Sequence, residues 1–256
     1  MNLLLGTDSG LYCYNTNTMD FDKSKNYTDK NKIVDLCVDD NGLIYCSVED
    51  NGDTYFHFGN SYIYKSKLCK YCSSFCVSYK GKIYFTSNNQ NQIYSIHYNE
   101  SSVLMENVFC SKETMETGGA YPFVSINDII KRNTRIYATM INDVSKKDGC
   151  VVELINFRVI YTGLKDPRNI FFNKEDRLCF CGGEDKIFYF GDKSKRLPSY
   201  VSCAIESVYE KCYYVFCSGN CLEIYKLQYN GKVLQQVFLE DFKGRCYNVI
   251  EIIEEK

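Results

Sequence analysis

The sequence predicts an all-β protein: a six-bladed β-propeller of four-stranded antiparallel blades, closed by pairing the C-terminal strand with N-terminal strands. Three observations carry the prediction. One apolar strand pattern recurs at a blade-length period, tight-turn dipeptides sit between recurrences, and the two chain ends hold complementary parts of one blade.

The recurring segment opens the chain as Asn2-Leu3-Leu4-Leu5-Gly6-Thr7. It returns as Leu43-Ile44-Tyr45-Cys46-Ser47, Lys82-Ile83-Tyr84-Phe85-Thr86-Ser87, Arg135-Ile136-Tyr137-Ala138-Thr139, Arg177-Leu178-Cys179-Phe180-Cys181 and Tyr214-Val215-Phe216-Cys217-Ser218. Counted from Leu3, the anchors Ile44, Ile83, Ile136, Leu178 and Tyr214 are 41, 39, 53, 42 and 36 residues apart, the spacing of propeller blades. A strand-like run precedes each anchor: Val34 to Asp39, Ser74 to Tyr79, Val124 to Ile129, Asn169 to Asn173, and Val201 to Glu206. An aromatic-rich third strand follows each, at Thr54 to Phe58, Gln92 to Tyr98, Val151 to Asn156, Lys186 to Phe190 and Leu222 to Leu227. Fourth strands fit Tyr62 to Ser66, Val103 to Val108, Arg158 to Thr162 and Val233 to Leu239.

Turn chemistry agrees, since Asn41-Gly42, Asn51-Gly52 and Asn230-Gly231 are dipeptides that tight hairpins favour. None of the three prolines interrupts a strand core. Residues 1–25 supply second, third and fourth strands without a first, and Tyr247 to Ile253 supplies a first strand with nothing after it. Joined, they remove the open edge of a linear stack. The blades are then 247–256 with 1–25, 32–67, 73–109, 122–164, 167–199 and 200–240, in one domain. A pair of β-sandwiches would not call for complementary half-blades at the two ends.

Composition narrows function. A 45% hydrophobic and 15% aromatic chain builds a substantial core, and a net charge of −2 with interspersed signs gives no basic field for nucleic acid or anionic membranes. The start Met-Asn-Leu-Leu-Leu-Gly-Thr-Asp has neither a basic region nor an apolar run long enough for a signal peptide or a span. The expectation is a soluble, cytoplasmic protein without membrane insertion. Fifteen cysteines, odd in number and irregularly spaced, sit mainly in apolar segments such as Leu36-Cys37-Val38 and read as reduced core residues.

The segment Ile33-Val34-Asp35-Leu36-Cys37-Val38-Asp39-Asp40-Asn41-Gly42-Leu43-Ile44-Tyr45 resembles the NHL and gluconolactonase-like repeat, and residues 167–178 echo it. The absence of Trp argues against typical WD repeats, and Gly-Gly only at 118–119 and 182–183 argues against Kelch.

Two places are candidates for a site. First strands line a propeller's channel, and aligning them puts Asp35, Ser74, Ser125, Asn169, Ser202 and Asn248 in a polar ring. The ring reads as a ligand-binding mouth or as small residues that crowded inner strands need. The gluconolactonase-like resemblance implies a divalent cation there, with Asp35, Asn169 and Asn248 as its ligands; the residues alone call for no cofactor. The second place is a loop rim. Two long connections, Cys110 to Tyr121 and Met140 to Gly149, emerge on one face and carry Lys112, Glu113, Glu116, Asn142, Asp143, Lys146 and Lys147. Cys69-x-x-Cys72 with Cys76 lacks the fourth ligand of a structural zinc site. The only histidines, His57 and His97, lie outside any catalytic motif, and no Gly-x-Ser-x-Gly elbow or phosphate loop is present. The sequence therefore points to a non-enzymatic module that docks a protein or peptide on its loop-bearing face; the alternative is a metal-dependent small-molecule hydrolase at the channel mouth.

Overall fold

The structure, a computed structural model, describes residues 1–23, 31–39, 42–58, 61–70, 72–78, 82–87, 92–97, 106–110, 125–141, 149–154, 156 and 158–252. Every regular element among them is a strand, and none of them forms a helix long and apolar enough to cross a membrane. Strands β1 (Asn2–Thr7), β2 (Gly10–Asn15) and β3 (Phe21–Lys23) start the chain. The second blade is β4 (Lys32–Asp39), β5 (Gly42–Val48), β6 (Asp53–Phe58) and β7 (Ser61–Lys70); the third is β8 (Phe75–Ser78), β9 (Lys82–Ser87), β10 (Gln92–His97) and β11 (Glu106–Cys110). The fourth is β12 (Ser125–Arg132), β13 (Arg135–Ile141), β14 (Gly149–Glu153) and β15 (Arg158–Leu164). The fifth is β16 (Arg168–Phe172), β17 (Leu178–Gly182), β18 (Ile187–Phe190) and β19 (Lys193–Arg196), and the sixth is β20 (Tyr200–Ser207), β21 (Cys212–Ser218), β22 (Leu222–Gln228) and β23 (Val233–Leu239).

The last strand, β24 (Cys246–Ile252), completes the first blade by pairing antiparallel with β1, Leu4 opposite Ile250 and Leu5 opposite Val249. First strands touch in a circle, β4 to β8, β12, β16, β20, β24 and back to β4. The result is the six-bladed, four-stranded, terminally closed propeller that the repeat predicts.

The core lies between blades, with one apolar cluster at each of the six junctions. This explains why second strands read as unbroken apolar runs rather than alternating ones. Side chains on a strand alternate in direction, so consecutive residues enter different clusters. Leu3 and Leu5 pack against the sixth blade, and Leu4 packs against the second. Likewise Cys179 and Cys181 face the sixth blade while Phe180 faces the fourth. Ten of the thirteen described cysteines are buried, all thirteen are free, and they fill this layer as small hydrophobes.

The Asn-Gly turns behave as their chemistry demands. Gly52 and Gly231 adopt φ of 85° and 84°, and the preceding Asn51 and Asn230 each accept the amide two residues on, at 2.9 Å. One fourth strand, β19, carries no apolar signal. Lys193-Ser194-Lys195-Arg196 is an edge strand with mostly exposed side chains, so backbone pairing to β18 rather than burial defines it.

Because both faces of a second strand are buried, Leu4→Ala and Leu5→Ala should each cost roughly 3 kcal/mol. Urea unfolding of the two variants tests this; one costing under about 0.5 kcal/mol would mean that one face of β1 is solvated.

Candidate functional site

The first strands are tied by side chains that reach across to the next blade. Asp35 Oδ2 accepts the Phe75 amide at 2.7 Å, Ser74 Oγ accepts the Ile129 amide at 3.2 Å, Asp128 Oδ2 accepts the Ile170 amide at 2.8 Å, and Asn169 Oδ1 accepts the Ala204 amide at 2.7 Å. At the next junction Cys203 brings its thiol 3.2 Å from that of Cys246, and at the last Asn248 Nδ2 donates to Asp35 and, at 3.4 Å, to the Leu36 carbonyl. A ring of six residues therefore exists, but not the full set that the alignment gives. Asp35, Ser74, Asn169 and Asn248 belong to it. Ser125 does not: it pairs with Ile141 at the start of β12, and Asp128 takes its place. The cause is a bulge between Ile126 and Asp128, one of several near the channel end of first strands, which turns the Asp128 side chain inward. Ser202 lines the channel but donates to the Phe216 carbonyl of its own blade, and the cross-blade position falls to Cys203.

The ring holds two buried acids that meet at one serine hydroxyl. Ser74 has one hydroxyl hydrogen, yet its Oγ meets both Asp35 Oδ2, at 2.7 Å, and Asp128 Oδ1. Asp35 receives four donors, from Leu36, Phe75, Ser74 and Asn248, which suits a carboxylate. Desolvation by burial raises both acids, Asp35 to about 6 despite its hydrogen bonds and Asp128 to about 7 with the Asp35 charge adding to the effect. Each Asp35 oxygen already holds two hydrogens, and Asn169 Oδ1 and Asn248 Oδ1 are engaged with the Ala204 and Val249 amides. This donor set does not fit the divalent cation implied by the gluconolactonase-like resemblance.

At one end of the channel lies a charged cluster. Asp166 Oδ1 accepts Arg168 Nε at 3.0 Å and Asn127 Nδ2 at 2.9 Å, while its Oδ2 accepts the Tyr200 hydroxyl. Burial alone would raise the Asp166 carboxyl, but Arg168, Tyr200 and Arg245 outweigh it and hold the group below its ordinary value. Arg245 stacks on the Tyr200 ring at 4.2 Å, lies 5.4 Å from the Tyr247 ring and donates Nη2 to the Tyr200 hydroxyl. Asp166 and Asn169 both adopt left-handed φ, 52° and 46°, which Asp and Asn tolerate best after glycine. Gly183 is needed here because a β-carbon would collide with the Asp166 carbonyl oxygen.

Between ring and cluster is a cavity of about 20 Å³, lined by Asp35, Asp128, Asn169, Arg168, Arg245 and Asn248 among others. One or two waters fill such a space. The loop-rim residues Lys112, Glu113, Glu116, Asn142, Asp143, Lys146 and Lys147 lie outside the described residues. Ser125, Ile141 and Gly149, beside those connections, are at the same strand ends as Arg168, since Ser125 pairs with Ile141 and Arg168 with Cys181. Of the Cys69, Cys72 and Cys76 group, Cys72 is buried and donates its thiol to the Ser74 carbonyl, Cys76 packs into the junction between the third and fourth blades, and the Cys69 side chain is outside the described set. His57 stacks on Tyr45 at 4.5 Å and lies 2.9 Å from Ser47 Oγ, but Ser47 is fully buried, out of a substrate's reach.

A raised folded-state carboxyl stabilises the fold at low pH and loses that contribution as pH rises toward the folded value. Stability should therefore fall between about pH 4 and pH 7, by at most about 1.4 kcal/mol per pH unit for each of the two raised acids. Asp128→Asn, which keeps a neutral donor toward Ser74, should flatten that slope, whereas Asp35→Asn should cost roughly 3 kcal/mol. Urea unfolding at pH 5 and pH 8 distinguishes them; an unchanged slope in Asp128→Asn would place the pH dependence elsewhere.

No protein-family model matches the chain, and no curated protein matches it. Solved structures match in fold. A chain in a nidogen/laminin complex aligns over 97% of both chains at a TM-score of 0.71 and 12% identity. A Bacteroides caccae protein of unknown function aligns over 97% of both at 0.64 and 9%. Virginiamycin B lyase from Staphylococcus aureus aligns over 84% of this chain and 73% of its own at 0.56 and 13%. At these identities the likeness establishes the propeller architecture.

Proposed function

We propose that the protein is a non-enzymatic interaction module that docks a protein partner or extended peptide on the face bearing Arg168, Tyr200, Arg245 and Tyr247. One observation carries the reading. The channel interior is occupied by hydrogen bonds that hold the blades together, leaving about 20 Å³, while its mouth presents half-exposed arginine and tyrosine, the residue types that anchor interfaces.

The strand ends Ser125, Ile141 and Gly149 lie at this end of their blade, and we extend the proposed contact surface to the charged residues of the connections that join them, Lys112 to Lys147. The fold itself does not decide the matter, because function resides in sites grafted onto folds. Among the structural neighbours, nidogen was solved with laminin, and the lyase with quinupristin. The metal-dependent hydrolase reading has no observation in its favour here, since the ring oxygens are committed to amides.

Affinity capture should return partners on the wild-type chain and on Tyr209→Ala, whose side chain is 85% exposed in the turn between β20 and β21 on the opposite face. The same partners should be lost from Tyr247→Ala and from a chain lacking residues 113–119. Partners retained by both mouth variants, or lost only from Tyr209→Ala, would overturn the reading.

A further inference from the structure

We propose that Arg168 and Arg245 form a carboxylate-binding fork at the channel mouth, and that the group it takes is an Asp or Glu side chain of the docked partner. The inference rests on the interaction-module reading and gives it a chemistry.

Among the described residues, the mouth holds two guanidiniums and one carboxylate able to reach them. Asp166 cannot serve both. Its Oδ1 is taken by Arg168 and Asn127 and its Oδ2 by Tyr200, with Arg168 Nε also 3.1 Å away, and Arg245 Nη2 stands off at 3.9 Å. Arg245 Nε is buried and has no acceptor among the described residues. A buried donor without a partner costs free energy that a ligand acceptor would recover. The ring below is already engaged: each Asp35 oxygen holds two hydrogens, and Asp128 accepts from Ser74 and from the Ile129 and Ile170 amides.

The charges around the mouth favour an anion. Lys32 adds a cation, its ammonium 4.4 Å from the Tyr247 ring, and Asp8 is occupied by the Arg245 backbone amide at 3.1 Å. The Tyr200 ring, 4.2 Å from the guanidinium carbon, and the bond from Nη2 to the Tyr200 hydroxyl hold Arg245 in place, which favours capture of a carboxylate. The side chains of Arg168 and Arg245 are 26% and 27% exposed, so a group can reach them from solvent. The 20 Å³ behind them admits a carboxylate's oxygens but no ring. A side chain carried on a partner's backbone matches that depth.

The test follows the arginine Nε–H resonances of the wild-type chain by NMR, which needs no variant to fold. Probes are acetate, the blocked tripeptide acetyl-Gly-Glu-Gly-amide, its Gln counterpart, and sodium chloride at matched ionic strength. Saturable shifts of Arg245 and Arg168 with acetate and the Glu peptide, absent with Gln peptide and chloride, are the expected result, and Arg245→Lys should weaken binding at least tenfold. No saturable shift with either carboxylate overturns the fork. Shifts with acetate alone overturn the side-chain source and assign the site to a small free acid. Partners captured undiminished by Arg168→Gln and Arg245→Gln chains would overturn the fork while leaving the module reading standing; a fork that binds the Glu peptide on a face no partner needs would do the reverse.

Discussion

The structure depends on one kind of bond: a polar side chain on the first strand of one blade accepting a backbone amide from the first strand of the next. Sheets within a blade are held by their own ladders, and apolar clusters fill the spaces between blades, but neither fixes how blades turn about the centre. Apolar contact is non-directional. The amides of Phe75, Ile129, Ile170 and Ala204, each received by the preceding blade, supply the direction. Where Cys203 interrupts the series, strand β24 closes the circle through Asn248 and the ladder to β1.

That arrangement determines what the centre is free to do. Oxygens that hold amides are not free to hold metal or substrate, and burial raises both ring acids, Asp128 in part through the Asp35 charge. The ring's hydrogen bonds join blade to blade. Just outside it, Arg168, Tyr200 and Arg245 keep part of their surface in water around the buried Asp166.

Much of this was legible in the amino-acid sequence. The anchors from Leu3 to Tyr214 gave the blade count, and the split between residues 1–25 and the C-terminal strand gave the closure. The misplaced ring member shows where linear spacing stops working. Ser125 lies 11 residues before its anchor, where Asp35, Ser74 and Asn169 lie 9 before theirs, and it precedes the bulge that Asp128 follows as Asp35 follows its own. The mouth cluster was illegible for another reason. Asp166, Tyr200 and Arg245 sit in or beside connections, far apart in the chain, and only ring closure brings Arg245 to Tyr200. The edge strand β19 was hidden because nothing buries it.

Native-state hydrogen exchange tests the central claim most directly. If the cross-blade bonds are what hold the ring, the amides of Phe75, Ile129, Ile170 and Ala204 should exchange only on global unfolding, with the same opening free energy as the Phe216 amide in the core of β21. Exchange of these four amides by local opening, a hundredfold or more faster than Phe216, would contradict the account.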